Sequence, residues 1–442
     1  MSRKLLSETK KLIPKPLFGL WRFKCHTSPH GPFQKKYYNN KVRKTSKKGR
    51  VLCPAVLDDF DRQYSEELGN LWPSARAVLL DPPSWQYGVM LNRFSVVTDI
   101  VQNLQSQGFS TLPHIFPQTG CNAEYQEEKG TLLLPHCISK CPPEDSTLQP
   151  DITSHASSQE PQSEPSLTLP YSSMQCYIHS RPLRFPSQAH RPGQLKQYYL
   201  LNAASLLPVL ALQVRDGDKV LDLCSAPGGK AVAIMQTATP GLLCCNEPDP
   251  HRRDWLTKTM ESFLPHSLNS RVIVSAEDGR CFGQKEAGFY DKVLVDAPCS
   301  NDRSWLYSSS SQQGAQRLRD RARLPLLQAQ LLKSALSAVC PGGVVVYSTC
   351  TLSSLENYAV VEMVLKDVPE AEPQDLWEEI AIPLSKHFAF SSHPDCEQMH
   401  PGPSPLTNST ATTYHQKLGI LVLPQPGKTW GPMFLSRIRK RE

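Results

Sequence analysis

Between residues 219 and 350 the chain repeats one arrangement five times: a short apolar run, then a turn of polar or reactive residues. The runs are Lys219 to Leu223, Leu242 to Cys245, Arg271 to Val274, Lys292 to Val295 and Val344 to Tyr347. Helical patterns stand between them, over Arg252 to Phe263 and over Leu326 to Val339, the latter stopped by Pro341-Gly342-Gly343. Strand alternating with helix predicts a doubly wound, mostly parallel α/β sheet. Two later runs, Gly419 to Leu423 and Pro432 to Ile438, flank Pro426-Gly427-Lys428 and predict a hairpin at the sheet edge.

The rest of the chain is different in texture. Residues 54–119 place Leu57, Phe60, Tyr64 and Leu68 at helical spacing ahead of Gly69, and Val97 to Leu104 is a second helix ending near Gly108. They predict a small helical N-terminal domain, expected to recognise the substrate. Residues 142–170 hold six prolines, six serines and five acidic residues, with no Lys, Arg or aromatic side chain. Such a stretch buries too little apolar surface to offset its ordering entropy, and a disordered linker is expected. Residues 391–416 resemble a second, shorter loop insertion.

The net charge of +7 is unevenly placed. The first 50 residues contain fifteen Lys or Arg and one acidic residue, Glu8, so the remainder is net negative. A basic, acid-poor opening with Leu5, Leu6, Leu12, Ile13, Leu17 and Phe18 among its charges fits a mitochondrial targeting segment over 1–50, or alternatively a basic arm for nucleic acid. The longest apolar run, Tyr199 to Val214, falls short of the ~20 residues of a membrane span and is interrupted by Asn202 and Pro208, so no membrane association is expected. Fourteen cysteines in 442 residues are thin for a disulfide scaffold, and mostly reduced thiols are expected.

In an open α/β sheet, ligands bind beyond the carboxyl ends of the strands. The first run is followed by Cys224-Ser225-Ala226-Pro227-Gly228-Gly229-Lys230, whose glycines let backbone approach a ligand. The spacing matches neither of the glycine motifs that cradle phosphate in nucleotide sites. Glu247 ends the second run, where it is placed to accept from ribose hydroxyls, and Asp278 follows the third, where it could meet an adenine amino group. Each alone is more often a turn or cap residue. Together they describe an adenosine site without demand for phosphate, which suits S-adenosylmethionine.

Asp296-Ala297-Pro298-Cys299-Ser300 ends the fourth run and Ser348-Thr349-Cys350-Thr351 the fifth. Most of the cysteines, Cys244 and Cys245 included, are expected to be inert core residues. Cys299 and Cys350 follow neighbouring strands at the switch point of this topology and are the reactive pair. Carbon 5 of cytosine is too weak a nucleophile to accept a methyl group directly. A thiolate added at carbon 6 makes it enamine-like, and a base then removes the carbon 5 proton as the thiol leaves. Asp296 is placed to hold the amino and ring-nitrogen edge of the base. Lys230 and Arg303 are the cations near the thiols.

On these motifs, with Asp278-Gly279-Arg280, the sequence resembles the NOP2/Sun family of RNA cytosine-5 methyltransferases, from about Met174 to Lys440. The resemblance implies a Rossmann-like S-adenosylmethionine-dependent domain over 175–440. It implies Cys350 as the nucleophile and Cys299 as the residue that assists product release. It also implies that Glu247, Asp278 and Asp296 line the cofactor and base pocket. Many members follow the Pro-Cys pair with Ser-Gly-Thr-Gly; here Ser300-Asn301-Asp302-Arg303-Ser304-Trp305 resembles a mitochondrial branch. Within that branch, the region Trp85 to Phe109 and the stretch Lys196 to Leu212 resemble the enzymes that act on the wobble cytosine of mitochondrial methionine tRNA, and a monomeric matrix protein is expected. With no segment resembling the family's separate RNA-binding module, RNA is expected to meet the N-terminal region and Arg181, Arg184, Lys196, Arg317, Arg319 and Arg321, unless these simply form a solvated face. Alternatives are ribosomal RNA as substrate, a non-catalytic RNA-binding or ribosome-assembly factor, and DNA methylation; the second thiol argues against the last. A fusion of residues 1–50 to a fluorescent protein is expected to co-localise with mitochondria in live-cell imaging, whereas nuclear fluorescence would favour the basic-arm reading.

Overall fold

The computed structural model describes residues 51–113, 174–189, 191, 193–308, 311–391 and 418–442. The basic segment 1–50, the linker 142–170 and, apart from Ser391, the insertion 391–416 lie outside the described residues.

All five expected strands form: β1 (Lys219–Asp222), β2 (Leu242–Asn246), β3 (Val272–Ser275), β4 (Tyr290–Asp296) and β5 (Val339–Thr349). They lie in the order β3-β2-β1-β4-β5 and every neighbouring pair is parallel. The chain winds outward from β1 to β3, then returns to β4 on the other side of β1. The switch point therefore lies between β1 and β4. β5 begins earlier than its apolar run suggested; Pro341-Gly342-Gly343 sits in an irregularity between Val339 and Val344.

Four further strands complete this sheet: β6 (Ala371–Gln374), β7 (Phe390–Ser391), β8 (Ile420–Val422) and β9 (Met433–Lys440). β8 and β9 do pair antiparallel. Their place differs from expectation, because β9 lies between β5 and β8, and β7 continues the sheet beyond β8. β9 is buried nearly throughout, which an edge strand is not.

Both faces of the sheet are covered, so adjacent residues of one strand enter different cores. Leu294 and Val346 face one layer with helices α4 (Gly229–Thr237) and α5 (Pro250–Phe263). Val293, Val295, Val345 and Tyr347 face the other, with α7 (Leu324–Ala338) and α8 (Tyr358–Asp367).

The two expected N-terminal helices appear, α1 (Pro54–Leu68) and α3 (Thr98–Ser106), with a helix the spacing did not announce, α2 (Trp72–Leu79), between them. They do not make a domain of their own. Phe60 and Tyr64 of α1 and Trp72 of α2 pack in the same core as Val295 and Tyr347. The chain then forms Gly88–Leu91, the middle of a small antiparallel sheet with Ser110–Thr111, Cys176–Ile178 and Tyr198–Leu201. One face of that sheet packs on α3 through Val89, Leu91, Leu104 and Tyr177, and the other joins the large core through Met90, Cys176 and Ile178. The apolar spacing of 54–79 is thus that of helices laid on a sheet. Among the described residues, no helix is long and apolar enough to cross a membrane.

Phe60 has no exposed surface. Phe60→Ala is expected to destabilise the whole methyltransferase domain by about 3–5 kcal/mol. Denaturant unfolding should show one transition shifted as a unit; an unshifted main transition with a separate weak one would mean that α1 folds apart.

Candidate active site

The residues singled out at the strand ends converge, because parallel strands place all their carboxyl ends on one rim. Ser348 of β5 is in register with Asp296 of β4, so the turns that follow them leave the sheet side by side. The consequence is a contact between Cys299 Sγ and Cys350 Sγ at 3.2 Å. The Cys350 amide also donates to Cys299 Sγ at 3.3 Å. Both side chains are half-buried. The hydrogen bond to Cys350, together with burial, pushes the Cys299 thiol well up, so Cys299 stays protonated at neutral pH.

Across the switch point, Lys230 Nζ donates to Asp296 Oδ2 at 2.8 Å. Asp296 Oδ1 accepts from Ser348 Oγ at 2.9 Å. Burial opposes the Lys230 charge, but Asp296 outweighs it and leaves the pKa raised. Lys230 therefore keeps its charge, and the contact fixes the Asp296 carboxylate between the turn after β1 and the cysteines.

The turn after β1 is shaped by its glycines. Gly228 has φ of 104°, and a Cβ there would lie 3.1 Å from Leu256 Cδ1. A Cβ on Gly229 would meet the Tyr199 hydroxyl at 3.1 Å. Ser225 Oγ donates to Asp222 Oδ2 at 2.8 Å, while Asp222 Oδ1 is buried with no partner. Burial raises Asp222 to about 7. Cys224 is pushed well up by burial, which keeps it an inert thiol.

Glu247 is buried at the end of β2, its carboxylate held by Arg252 at 3.1 Å and by the Asp249 amide at 3.0 Å. Burial nevertheless raises its pKa. Arg252 also donates to the Ala226 carbonyl at 2.9 Å, tying the two halves of the rim together. Asp278 is more exposed and accepts from Arg280 Nε and the Arg280 amide, which lowers its pKa. It thus does the cap work expected of such a residue, at the place where the adenosine reading also needs it.

Beneath the cysteines lies a network that sequence reasoning missed. Glu356 accepts from Ser300 Oγ at 2.6 Å, the Ser300 amide at 3.0 Å and Gln328 Nε2 at 3.0 Å. Asp302 accepts from Thr351 Oγ1 at 2.8 Å, the Leu352 amide at 2.7 Å and Tyr64 OH at 3.0 Å. Ser300 Oγ also lies 2.9 Å from Thr351 Oγ1, which brings the two turns together. Arg321 Nη2 donates to Tyr64 OH at 2.8 Å and Nη1 to Asp59 at 2.6 Å. Arg321 is 8% exposed, so it is a structural cation rather than the RNA contact its exposed-looking helix α6 (Ser311–Arg321) suggested. Arg317 of the same helix is also committed, to the carbonyls of Trp305 and Tyr307. Burial raises Asp302 to about 6. Tyr64 was legible only as an apolar helix position, and Glu356 carries no local pattern at all.

Residues 209–401 match the sequence profile of the 16S rRNA methyltransferase RsmB/F family. The chain is 48% identical over 395 residues to a protein of Danio rerio named tRNA (cytosine(34)-C(5))-methyltransferase, mitochondrial, covering 89% of this chain and 90% of that one. It is 41% identical over 400 residues to the Mus musculus protein of the same name, covering 90% and 94%. A crystal structure of a methyltransferase homologue from Pyrococcus horikoshii superimposes with a TM-score of 0.52 at 19% identity, over 88% of this chain and all of that one, which shows the shared fold.

Glu356→Ala would leave the Ser300 amide, the Ser300 hydroxyl and Gln328 Nε2 without their buried acceptor. It is expected to lower the unfolding free energy by about 3 kcal/mol. Turnover should fall with it, since the Pro298-Cys299-Ser300 turn loses its anchor, whereas calorimetric affinity for S-adenosylmethionine should hold; full turnover in the variant would show that the network does not position the thiols.

Proposed function

Since this chain belongs to the RsmB/F (NOP2/Sun) methyltransferase family, we propose that it methylates carbon 5 of a cytosine in RNA, using S-adenosylmethionine, and that its substrate is the wobble cytosine of a mitochondrial tRNA for methionine. The pair of sulfurs at 3.2 Å, beside the Lys230–Asp296 ion pair, is the observation that carries this reading. DNA methylation by this route needs one thiol, and a non-catalytic RNA-binding protein needs neither.

The rim suits S-adenosylmethionine. A turn of Cys224, Ser225, Ala226, Pro227, Gly228, Gly229 and Lys230 with no phosphate motif, carboxylates at Glu247, Asp278 and Asp296, and the unpartnered Asp222 Oδ1 beneath them match a nucleoside with a cationic, non-phosphorylated tail. When bound, the cofactor supplies an electrophilic methyl group.

The chain's own residues do the rest. Cys350, as thiolate, forms a bond to carbon 6 of the cytosine, and the electron pair of the 5,6 double bond moves to carbon 5. Asp296 holds the amino edge of the base while Lys230 keeps that carboxylate in place. Carbon 5 takes up the methyl group with that electron pair, and Cys299, 3.2 Å from Cys350, is in place to assist the last stage, in which a base takes the carbon 5 proton and the Cys350–carbon 6 bond breaks. That bond returns its electrons to sulfur, and the 5,6 double bond is restored.

The protein's names among its relatives support a mitochondrial location, and the basic segment 1–50 supports import into the matrix; a monomer suffices for this site. Bisulfite sequencing of RNA from cells lacking the protein is the direct test. Loss of one methylated wobble cytosine in a mitochondrial tRNA is expected, while loss confined to ribosomal RNA would move the substrate to the alternative. Cys350→Ala is expected to abolish both methylation and any covalent RNA adduct. Cys299→Ala should let a protein–RNA adduct accumulate on a denaturing gel; the opposite pattern would reverse the two roles.

A further inference from the structure

Two cations, Lys230 and Arg303, interact electrostatically with Cys350, and a third, Arg321, lies in the network beneath the cysteines. Lys230 is neutralised by Asp296, and Arg321 by Asp59 and Glu356. Arg303 has no carboxylate within ion-pair distance among the described residues. It is nonetheless well enclosed. Its guanidinium lies over the Trp85 ring at 4.6 Å from the centroid, and Nη2 donates to the Thr429 carbonyl. Thr429 is itself fixed by Gln86, whose Oε1 accepts from the Thr429 amide at 2.8 Å. Arg303 Nε is buried with no partner. Burial pulls the guanidinium down to about 10, while Tyr87 and Cys350 act in the opposite direction.

A cation removed from water without an anion is costly. Elsewhere on this rim the protein supplies the anion; here it supplies an aromatic face and a carbonyl, which orient the guanidinium without neutralising it. The missing charge must come from a ligand. A neutral base offers only partial charge, whereas each phosphodiester offers a full one with oxygens that suit a guanidinium. A cytidine whose carbon 6 is bonded to Cys350 brings its flanking phosphates to the same place.

We propose that Arg303 binds a phosphate flanking the target cytidine and so seats that nucleotide over Cys350. This rests on the reading of the protein as an RNA cytosine methyltransferase. It gives a role to the residue that replaces the glycine-rich stretch seen after the Pro-Cys pair in many members of the family.

The test is the salt dependence of binding. A synthetic anticodon stem-loop of mitochondrial methionine tRNA is titrated against Cys350→Ala protein, so that no covalent adduct contributes. Each phosphate contact adds about 0.7 to the slope of log affinity against log salt for single-stranded RNA. Adding Arg303→Met is expected to reduce the slope by that amount and to weaken binding on the order of tenfold. Arg303→Lys should keep the slope, and affinity for S-adenosylmethionine should be unaltered in both. As a check that does not depend on any variant at Arg303 folding, a methylphosphonate on each side of the cytidine in turn should weaken binding from one side only. With Arg303→Met that loss should vanish. Equal affinity for the RNA and both methylphosphonates, or an unchanged slope in Arg303→Met, overturns the proposal. If the parent protein shows no salt-dependent binding of the stem-loop at all, the functional reading falls with it.

Discussion

Glu356, fully enclosed and bonded to three donors, is the group on which the catalytic geometry depends. A buried carboxylate is tolerated only when its lone pairs are satisfied, and here the donors come from two distant parts of the chain. Ser300 belongs to the turn after β4, Gln328 to α7, and Glu356 itself follows β5. Any relaxation of one turn would leave a desolvated charge unmatched, so the spacing of Cys299 and Cys350 is held by the cost of disturbing what lies beneath it.

The same network explains why the N-terminal helix is laid on the sheet. Arg321 reaches both Asp59 and Tyr64, and Tyr64 completes the shell of Asp302. A helix that contributes an acceptor and a hydroxyl to the interior of the active site has one orientation available to it. Its apolar side then packs against Val295 and Tyr347 as a consequence. Two charge pairs therefore divide the work at the rim. The deeper one, Arg321 with its carboxylates, is structural, while the shallower one, Lys230 with Asp296, lies between the turn after β1 and the cysteines.

Much of the fold was legible because it is local. The five apolar runs are strands for the reason that made them visible: both faces are covered, so nearly every residue must be apolar. The glycines of the turn after β1 were legible as sites of close approach, and Leu256 and Tyr199 supply the neighbours that forbid a side chain. Cys299, Cys350, Asp296 and Lys230 were legible because each follows a strand, and parallel strands end together. Asp278 was legible twice over, as a cap and as a rim carboxylate, and the structure shows the cap.

What the sequence could not supply were the partners. Arg321 looks like its neighbours Arg317 and Arg319 in a charged helix, yet it is buried, because Asp59 lies 262 residues away in the chain and arrives only when α1 docks. Tyr64 reads as one more apolar helix position until its hydroxyl meets Asp302. The strand β9 reads as an edge because its neighbours β5 and β8 lie on either side of it only in three dimensions. Sequence alone determined which elements form and which end of the sheet carries the chemistry, since hydrophobic period and turn residues act over a few positions. Tertiary structure decided which charge is neutralised and which is left for a ligand, since a carboxylate and a guanidinium recognise each other by distance in space, and that distance does not exist until the core has closed.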